Sequence, residues 1–267
     1  MFFKKEIILF FLTIIIFAIC IIFLSKLSVK ENFNNEEEIN LNIVKKFANK
    51  EIKFTTITKP KDEITKYQTF YNPDIFPELK TINYEIIKNE LINYINHNNS
   101  SWIEWPEYDL WKNKNNLSTW TVIPLVCFKK FTKKNIFENT IKELKKIKGL
   151  VSAGFSKLGP NTTLSLHKGW GELSNNVLRC HLGLIVPTNK CKLYVLGNSN
   201  DEMIQEEGKW IVFDDSLYHS ASNEDNNNDR IILLLDIKRP KYIEKGVSDC
   251  ETSKELKNFV SLFNDKL

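Results

Sequence analysis

Val177-Leu178-Arg179-Cys180-His181-Leu182-Gly183-Leu184-Ile185-Val186 is the stretch whose reading decides the fold. It is short and apolar, and Pro187-Thr188-Asn189 ends it with a turn signal. Arg179 and His181 alternate, so on a strand both point to one face. Inside an otherwise apolar strand they read better as pocket lining than as a solvent-facing polar pair. Working outward, Val151–Leu158, Thr162–Lys168, Lys192–Leu196, Trp210–Phe213 and Arg230–Ile237 have the same character. Gly159-Pro160-Asn161, Gly197-Asn198, Gly208 and the Asn run after Asn223 separate them. Short strands at this spacing predict a sandwich or barrel.

Helical patterns come before the strands. Thr81–His97 carries Ile82, Ile86, Ile87, Leu91 and Ile95 at helical spacing, and Ile136–Ile147 puts Phe137, Ile141 and Leu144 on one face. Helices first and strands later predict an α+β fold, a helical layer against a β core; the alternation of a parallel α/β sheet is absent.

The rare polar residues gather in the strands. Of four histidines, three (His167, His181, His219) fall there; of three arginines, Arg179 and Arg230 do, with Arg239 just beyond. His97 ends the first helix beside Asn98 and Asn99 and reads as a solvated cap. Histidine is the commonest neutral metal ligand, and arginine binds carboxylates through two parallel bonds. Together they point to a metal beside an acid-bearing cosubstrate. His167 and His219 sit at opposite ends of the strand-rich region, where a jelly roll can bring them to one mouth. Two imidazoles are too few for catalytic zinc, but they suffice for Fe(II) if oxygen donors complete the sphere. The usual His-x-Asp/Glu element is here His167-Lys168-Gly169, so a glycine stands where the carboxylate is expected. Arg230 opens an apolar strand and needs an anion: either the distal carboxylate of 2-oxoglutarate or a structural partner, Asp214 or Asp236. Asp215 reads as a turn residue, or as an acceptor for an imidazole N–H. Cys180 reads as a small buried strand residue rather than a metal thiolate.

Net charge is +4, from 37 Lys and Arg against 33 Asp and Glu, with no basic stripe, so nucleic acid is not an expected partner. The five cysteines form no CxxC pair, which argues against a zinc ribbon. Ile7–Leu24 is apolar except for Thr13 and meets the length of about 18 residues expected of a transmembrane helix. Lys4 and Lys5 precede it, Lys26 and Lys30 follow, and no cleavage site is evident. Residues 1–27 therefore read as a cytoplasmic tip and single-pass signal anchor, with the domain extracytoplasmic or luminal. A polar stalk follows at 28–70, with a short helix at 43–48. The main domain covers 71–245, and a helical tail 246–267.

An ordered set of residues resembles one family. His167-Lys168-Gly169, then Asn176 to Leu184 and Pro187, then Gly208-Lys209, Phe213-Asp214-Asp215-Ser216, His219 and Arg230 are similar to the aspartyl/asparaginyl β-hydroxylases, with Phe155-Ser156 and Pro160 ahead of them. The resemblance runs from about 149 to 240 and thins back to Tyr71. It implies a double-stranded β-helix, Fe(II), and 2-oxoglutarate with oxygen as cosubstrates. It implies His167 and His219 as iron ligands, with water in place of the missing carboxylate. It further implies Ser156, Arg179, His181 and Arg230 as 2-oxoglutarate contacts. The expected activity is hydroxylation of Asp or Asn side chains in peptides or proteins. Lipid acyl-chain hydroxylation is the alternative within the family, and a non-catalytic β-sandwich binding module, its histidines structural or holding zinc, is the alternative outside it.

Overall fold

The computed structural model describes residues 68–97, 101–112, 118–133, 135–196 and 202–264. The expected membrane anchor, the stalk as far as residue 67 and its short helix lie outside them. Among the described residues no helix is long and apolar enough to cross a membrane.

The elements run β1 (Phe70–Tyr71), α1 (Tyr84–His97), β2 (Ile103–Glu104), β3 (Trp120–Cys127), β4 (Lys130–Phe131), α2 (Glu138–Leu144), β5 (Leu150–Leu158), β6 (Thr162–Thr163), α3 (Gly171–Ser174), β7 (Val177–Ile185), β8 (Cys191–Val195), β9 (Glu202–Ile204), β10 (Trp210–Phe213), β11 (His219–Asn223), β12 (Arg230–Lys238) and α4 (Lys254–Asn264). The larger sheet has the order β1-β10-β7-β12-β5-β3-β2, with β4 beside β3; the smaller has the order β6-β11-β8-β9. All pairings between named strands are antiparallel. The eight strands β5 to β12 divide into two four-stranded halves, β10-β7-β12-β5 and β9-β8-β11-β6. That is the winding of a jelly roll, or double-stranded β-helix.

Period-two alternation assigns the two faces of the large sheet. On β7, Leu178, Cys180, Leu182 and Leu184 join one core cluster, as do Ile231, Leu233, Leu235 and Ile237 on β12. That cluster also takes Ile87 and Leu91 of α1, and Ile141 and Leu144 of α2, so it is the helix side. The opposite face looks into a second cluster, in which Trp120, Leu158, Ile211 and Phe213 meet Leu193, Val195 and Ala221 of the small sheet. Burying each such Leu, Ile or Phe contributes roughly 1.5–3 kcal/mol, which fixes the strand register. Ser152, Ser156, Arg179, His181, Arg230 and Asp236 alternate with the helix-side residues and therefore belong to this inner face.

The two helices cap each other. Asn83 accepts from the Ile86 amide at 3.2 Å, while Glu90 of α1 accepts from the Asn139 and Thr140 amides of α2 at 2.9 and 2.7 Å. His97 is exposed at the end of α1, its Nδ1 2.8 Å from the Asn93 carbonyl. Cys180 is fully buried on the helix side, away from His181.

One strand is shorter than expected: Thr162–Lys168 is only Thr162–Thr163, because the Ser165 amide leaves the sheet to bond the Leu110 carbonyl at 2.7 Å. Strand β3, which is not among the strands expected from the sequence, has Pro124 at its centre, a residue unusual in a central strand. A register shift between Pro124 and Val126 accommodates it. The expected helical tail contains α4 and is tied to the domain: the Gly246 amide bonds the Asn175 carbonyl at 3.0 Å, and Leu256 is fully buried.

Candidate functional site

His167 and His219 lie side by side. They form an isolated antiparallel bridge, with the His167 amide donating to the His219 carbonyl at 3.0 Å and the reverse bond at 2.8 Å. Their ring centroids are 4.3 Å apart. Each ring is anchored the same way, with Nδ1 2.7 Å from the Ser165 carbonyl in His167 and 2.9 Å from the Leu217 carbonyl in His219. A carbonyl only accepts, so each Nδ1 carries the proton and each Nε2 offers a lone pair. Burial pushes His167 down to about 3, helped by His219, and His219 down to about 4. Two neutral imidazoles with Nε2 available fit a divalent metal.

Asp215 completes this side of the site. It is buried, and its Oδ1 stands 3.3 Å from His219 Nε2. The carboxylate thus faces the unprotonated Nε2; the N–H acceptor role belongs to the Leu217 carbonyl. Burial, opposed by Arg179, raises Asp215 to about 6. Gly169 is required by this neighbour: a Cβ there would meet Asp215 Oδ2 at 1.8 Å and Ser174 Cβ at 2.9 Å. A side-chain ligand at 169 and the carboxylate of Asp215 exclude each other. Gly169→Ala is therefore expected to destabilise the fold by about 1–3 kcal/mol, seen as a lower melting temperature, and Asp215→Ala to relieve that loss in the double variant.

The three arginines have different situations. Arg239 makes a buried fork with Asp214, with bonds of 2.8 and 2.7 Å, and also bonds the Ser174 and Glu244 carbonyls, pinning the loop that carries Asp215. Arg179 gives Nε and Nη2 to Asp236 at 2.8 and 3.2 Å, and Nη1 to Asp215. The resemblance implies a cosubstrate contact for Arg179; in this structure its guanidinium joins two carboxylates and also lines the cleft described below. Arg230 is 2% exposed, and its Nε and Nη1 have no partner. Neither structural partner considered for it is available, since Asp214 is held by Arg239 and Asp236 by Arg179.

Other donors share the inner face with Arg230. His181 is buried and held neutral, well below its ordinary value, first by burial and then by Arg230. Gln205 Nε2 sits 3.2 Å from its Nδ1; with the amide so oriented, Nε2 carries the proton, and it has no partner. Ser156 Oγ accepts from Trp120 Nε1 at 3.1 Å, leaving its own proton to donate. Ser156 lies across from Ile232 and Arg230 across from Leu158, so they are diagonal neighbours on adjacent strands. Unpartnered buried donors are costly, and together these describe a place for an anion. His181 does not join the metal pair. Phe213 packs against both rings, 5.0 Å from His181 and 5.3 Å from His219, and no group of three or more His, Cys, Asp or Glu among the described residues is placed to hold an ion. The three histidines thus form no single three-ligand group among the described residues.

A cleft opens on His167 and Asp215. Its walls include Trp105, Trp120, Val122, Leu256, Phe259 and Val260, so α4 forms one side. Ser253, which caps α4 through the Leu256 amide at 3.2 Å, donates to Glu107 at 2.9 Å and ties the helix down. Asp236, Gln205 and Glu107 were not expected as site residues. Asp236 alone had a signal, a carboxylate inside the apolar run Ile231–Ile237.

The family described as Aspartyl/Asparaginyl beta-hydroxylase matches residues 81–240, and this chain belongs to it. It is 39% identical over 102 residues to the ornithine lipid ester-linked acyl 2-hydroxylase of Rhizobium tropici, covering 38% of this chain and 34% of that one. It is 34% identical over 87 residues to the human aspartyl/asparaginyl beta-hydroxylase, covering 33% of this chain and 11% of that one. The chain thus spans about a third or less of the length of these relatives. Among solved structures, a Pseudomonas putida prolyl-4-hydroxylase aligns with a TM-score of 0.39 at 8% identity, over 60% of this chain and 89% of that one.

Proposed function

We propose that this chain is an Fe(II)- and 2-oxoglutarate-dependent hydroxylase, anchored in a membrane by Ile7–Leu24 with its domain on the extracytoplasmic or luminal side. The observation that carries it is the bridged histidine pair, with both Nδ1 protons committed to backbone carbonyls and both Nε2 atoms left for a metal. His167 and His219 would hold the iron. Arg230 would take the distal carboxylate of 2-oxoglutarate, with Ser156 and His181 donating beside it; Arg179 reaches this cosubstrate only by giving up Asp215 or Asp236. When bound, iron with 2-oxoglutarate and oxygen supplies the oxidising power: one oxygen atom enters an unactivated C–H bond, the other enters succinate, and carbon dioxide leaves. The chain's own part is to orient the cosubstrate through fixed donors and to keep the site dry between two sheets.

Hydroxylation of Asp or Asn side chains in peptides is the first substrate reading, as one relative's name suggests. Acyl-chain hydroxylation has a specific observation in its favour, the cleft walled by Trp105, Trp120, Leu256, Phe259 and Val260. Its charged lining is mixed, with Glu107, Asp215 and Asp236 beside Lys168 and Arg179. The test uses the full chain in detergent with Fe(II), ascorbate and 2-oxoglutarate. Succinate is measured with Asp- and Asn-containing peptides and with acyl lipids. Succinate above the substrate-free background with either set is expected. Acyl binding is read separately, by quenching of Trp105 and Trp120 fluorescence with brominated chains. Neither metal binding nor succinate with any substrate would overturn the enzyme reading.

A further inference from the structure

We propose that Asp236, backed by Ser152, is a positioning residue for the metal site: it holds Arg179 so that Asp215 stays beside His219. The proposal rests on the reading of His167 and His219 as the metal pair.

Three adjacent strands supply the chain of contacts. Ser152 on β5, Asp236 on β12 and Arg179 on β7 are register partners in one row across the sheet. The Ser152 hydroxyl donates to Asp236 Oδ2. Asp236 takes Arg179 Nε on one oxygen at 2.8 Å and Nη2 on the other at 3.2 Å. Two parallel bonds fix the guanidinium plane as well as its position. The remaining nitrogen, Nη1, is thereby aimed at Asp215 Oδ1, the oxygen that stands 3.3 Å from His219 Nε2. The other oxygen of Asp215 is buried without a partner. Within this chain of contacts, two carboxylates, one guanidinium and two neutral imidazoles leave one excess negative charge. A divalent cation offsets it, and a buried uncompensated charge is costly without one.

Removing the charge of Asp236 has two effects in the same direction. Arg179 and Asp215 then cancel, so the field drawing in a cation is lost. Arg179 also loses the fork that holds its plane and is free to take both oxygens of Asp215, pulling that carboxylate away from His219. Trimming Ser152 weakens the same arrangement by one hydrogen bond only.

The test is titration of the full chain with Co(II), followed by visible absorption, with circular dichroism reporting the fold. Asp236→Asn is expected to weaken Co(II) binding about 10-fold or more and to change the absorption bands, as loss of an outer partner of a metal site does. Ser152→Ala is expected to weaken it in the same direction by about fivefold or less. A residue that only braces the sheet would lower the melting temperature and leave the Co(II) affinity and spectrum of the folded protein alone. Folded Asp236→Asn with wild-type affinity and spectrum would overturn the proposal. If that variant does not fold, wild-type behaviour of Ser152→Ala overturns it instead. Wild-type protein that binds no Co(II), or binding that survives His219→Ala, removes the metal-pair reading and this proposal together. Binding that His219→Ala abolishes but the other two variants leave untouched removes this proposal alone.

Discussion

His219→Ala is expected to reduce succinate formation by more than about 100-fold, beyond the 10–100-fold that loss of an outer partner costs. The same variant should lose its Co(II) absorption. The reason is geometric. His219 reaches the site from β11 through a backbone bridge to His167, and its Nδ1 is spent on the Leu217 carbonyl. No neighbouring side chain among the described residues supplies a second imidazole, since His181 lies beyond Phe213. His97→Ala is the control, because that ring is exposed and bonded to the Asn93 carbonyl at the end of α1, so it should change neither readout. The pH dependence carries the same signature. Burial holds the folded imidazoles near 3 and 4, whereas unfolded histidine protonates near 6.5, so the unfolded chain binds more protons between those values. The two histidines therefore cost metal-free stability as pH drops from about 6.5 towards 4, while Asp215, raised to about 6, offsets part of that cost because the folded chain takes up its proton first. His219→Ala should lose stability less steeply, having one such group fewer. An unchanged Co(II) affinity in this variant would sink the assignment of the ligand pair.

The parts of this molecule legible in the sequence are those where burial imposes a period. Val177–Ile185 and Arg230–Lys238 read as strands because every second residue must face the helix-side core. The polar exceptions in the same strands, Arg179, His181 and Arg230, mark the inner face by their chemistry alone. The polar strand β11, His-Ser-Ala-Ser-Asn, has no apolar alternation to find; its pairing with β8 defines it, and pairing is not a local property. Asp215 shows the same limit. Its position in a turn is readable, but its approach to His219 depends on a loop that Arg239 and Asp214 pin from the far end of β12. Gly169 is legible as a missing ligand and not as a cavity for another residue's carboxylate. What partners each arginine is equally out of reach, because it follows from register across β5, β12 and β7 rather than from spacing along one strand.

Arg230→Met is expected to leave the cosubstrate-free protein as stable as wild type or more so, while raising the 2-oxoglutarate requirement by roughly 30-fold or more. These opposite signs follow from one fact: the guanidinium is buried with Nε and Nη1 unpartnered. Burial pulls its pKa down to about 10, so it is still charged at neutral pH and the cosubstrate-free fold carries that cost. Methionine fills much of the volume without the charge, and swapping buried ions for apolar side chains is often neutral or stabilising by roughly 1–4 kcal/mol. With cosubstrate present the comparison reverses. The ligand carboxylate would then be buried without its partner, and breaking such a pair costs about 2–5 kcal/mol, or roughly 30-fold to several thousand-fold in affinity. Arg239→Met supplies the contrast, since it strands Asp214 and should destabilise by about 3–5 kcal/mol. Thermal melts of the Mn(II)-loaded proteins with and without 2-oxoglutarate read both quantities, because a ligand that binds only the folded state raises the melting temperature by an amount that grows with the logarithm of its concentration over its Kd. Wild type should gain stability from 2-oxoglutarate where Arg230→Met gains little. If Arg230→Met melts as early as Arg239→Met, Arg230 is a structural residue with a partner of its own, and the anion site must lie elsewhere.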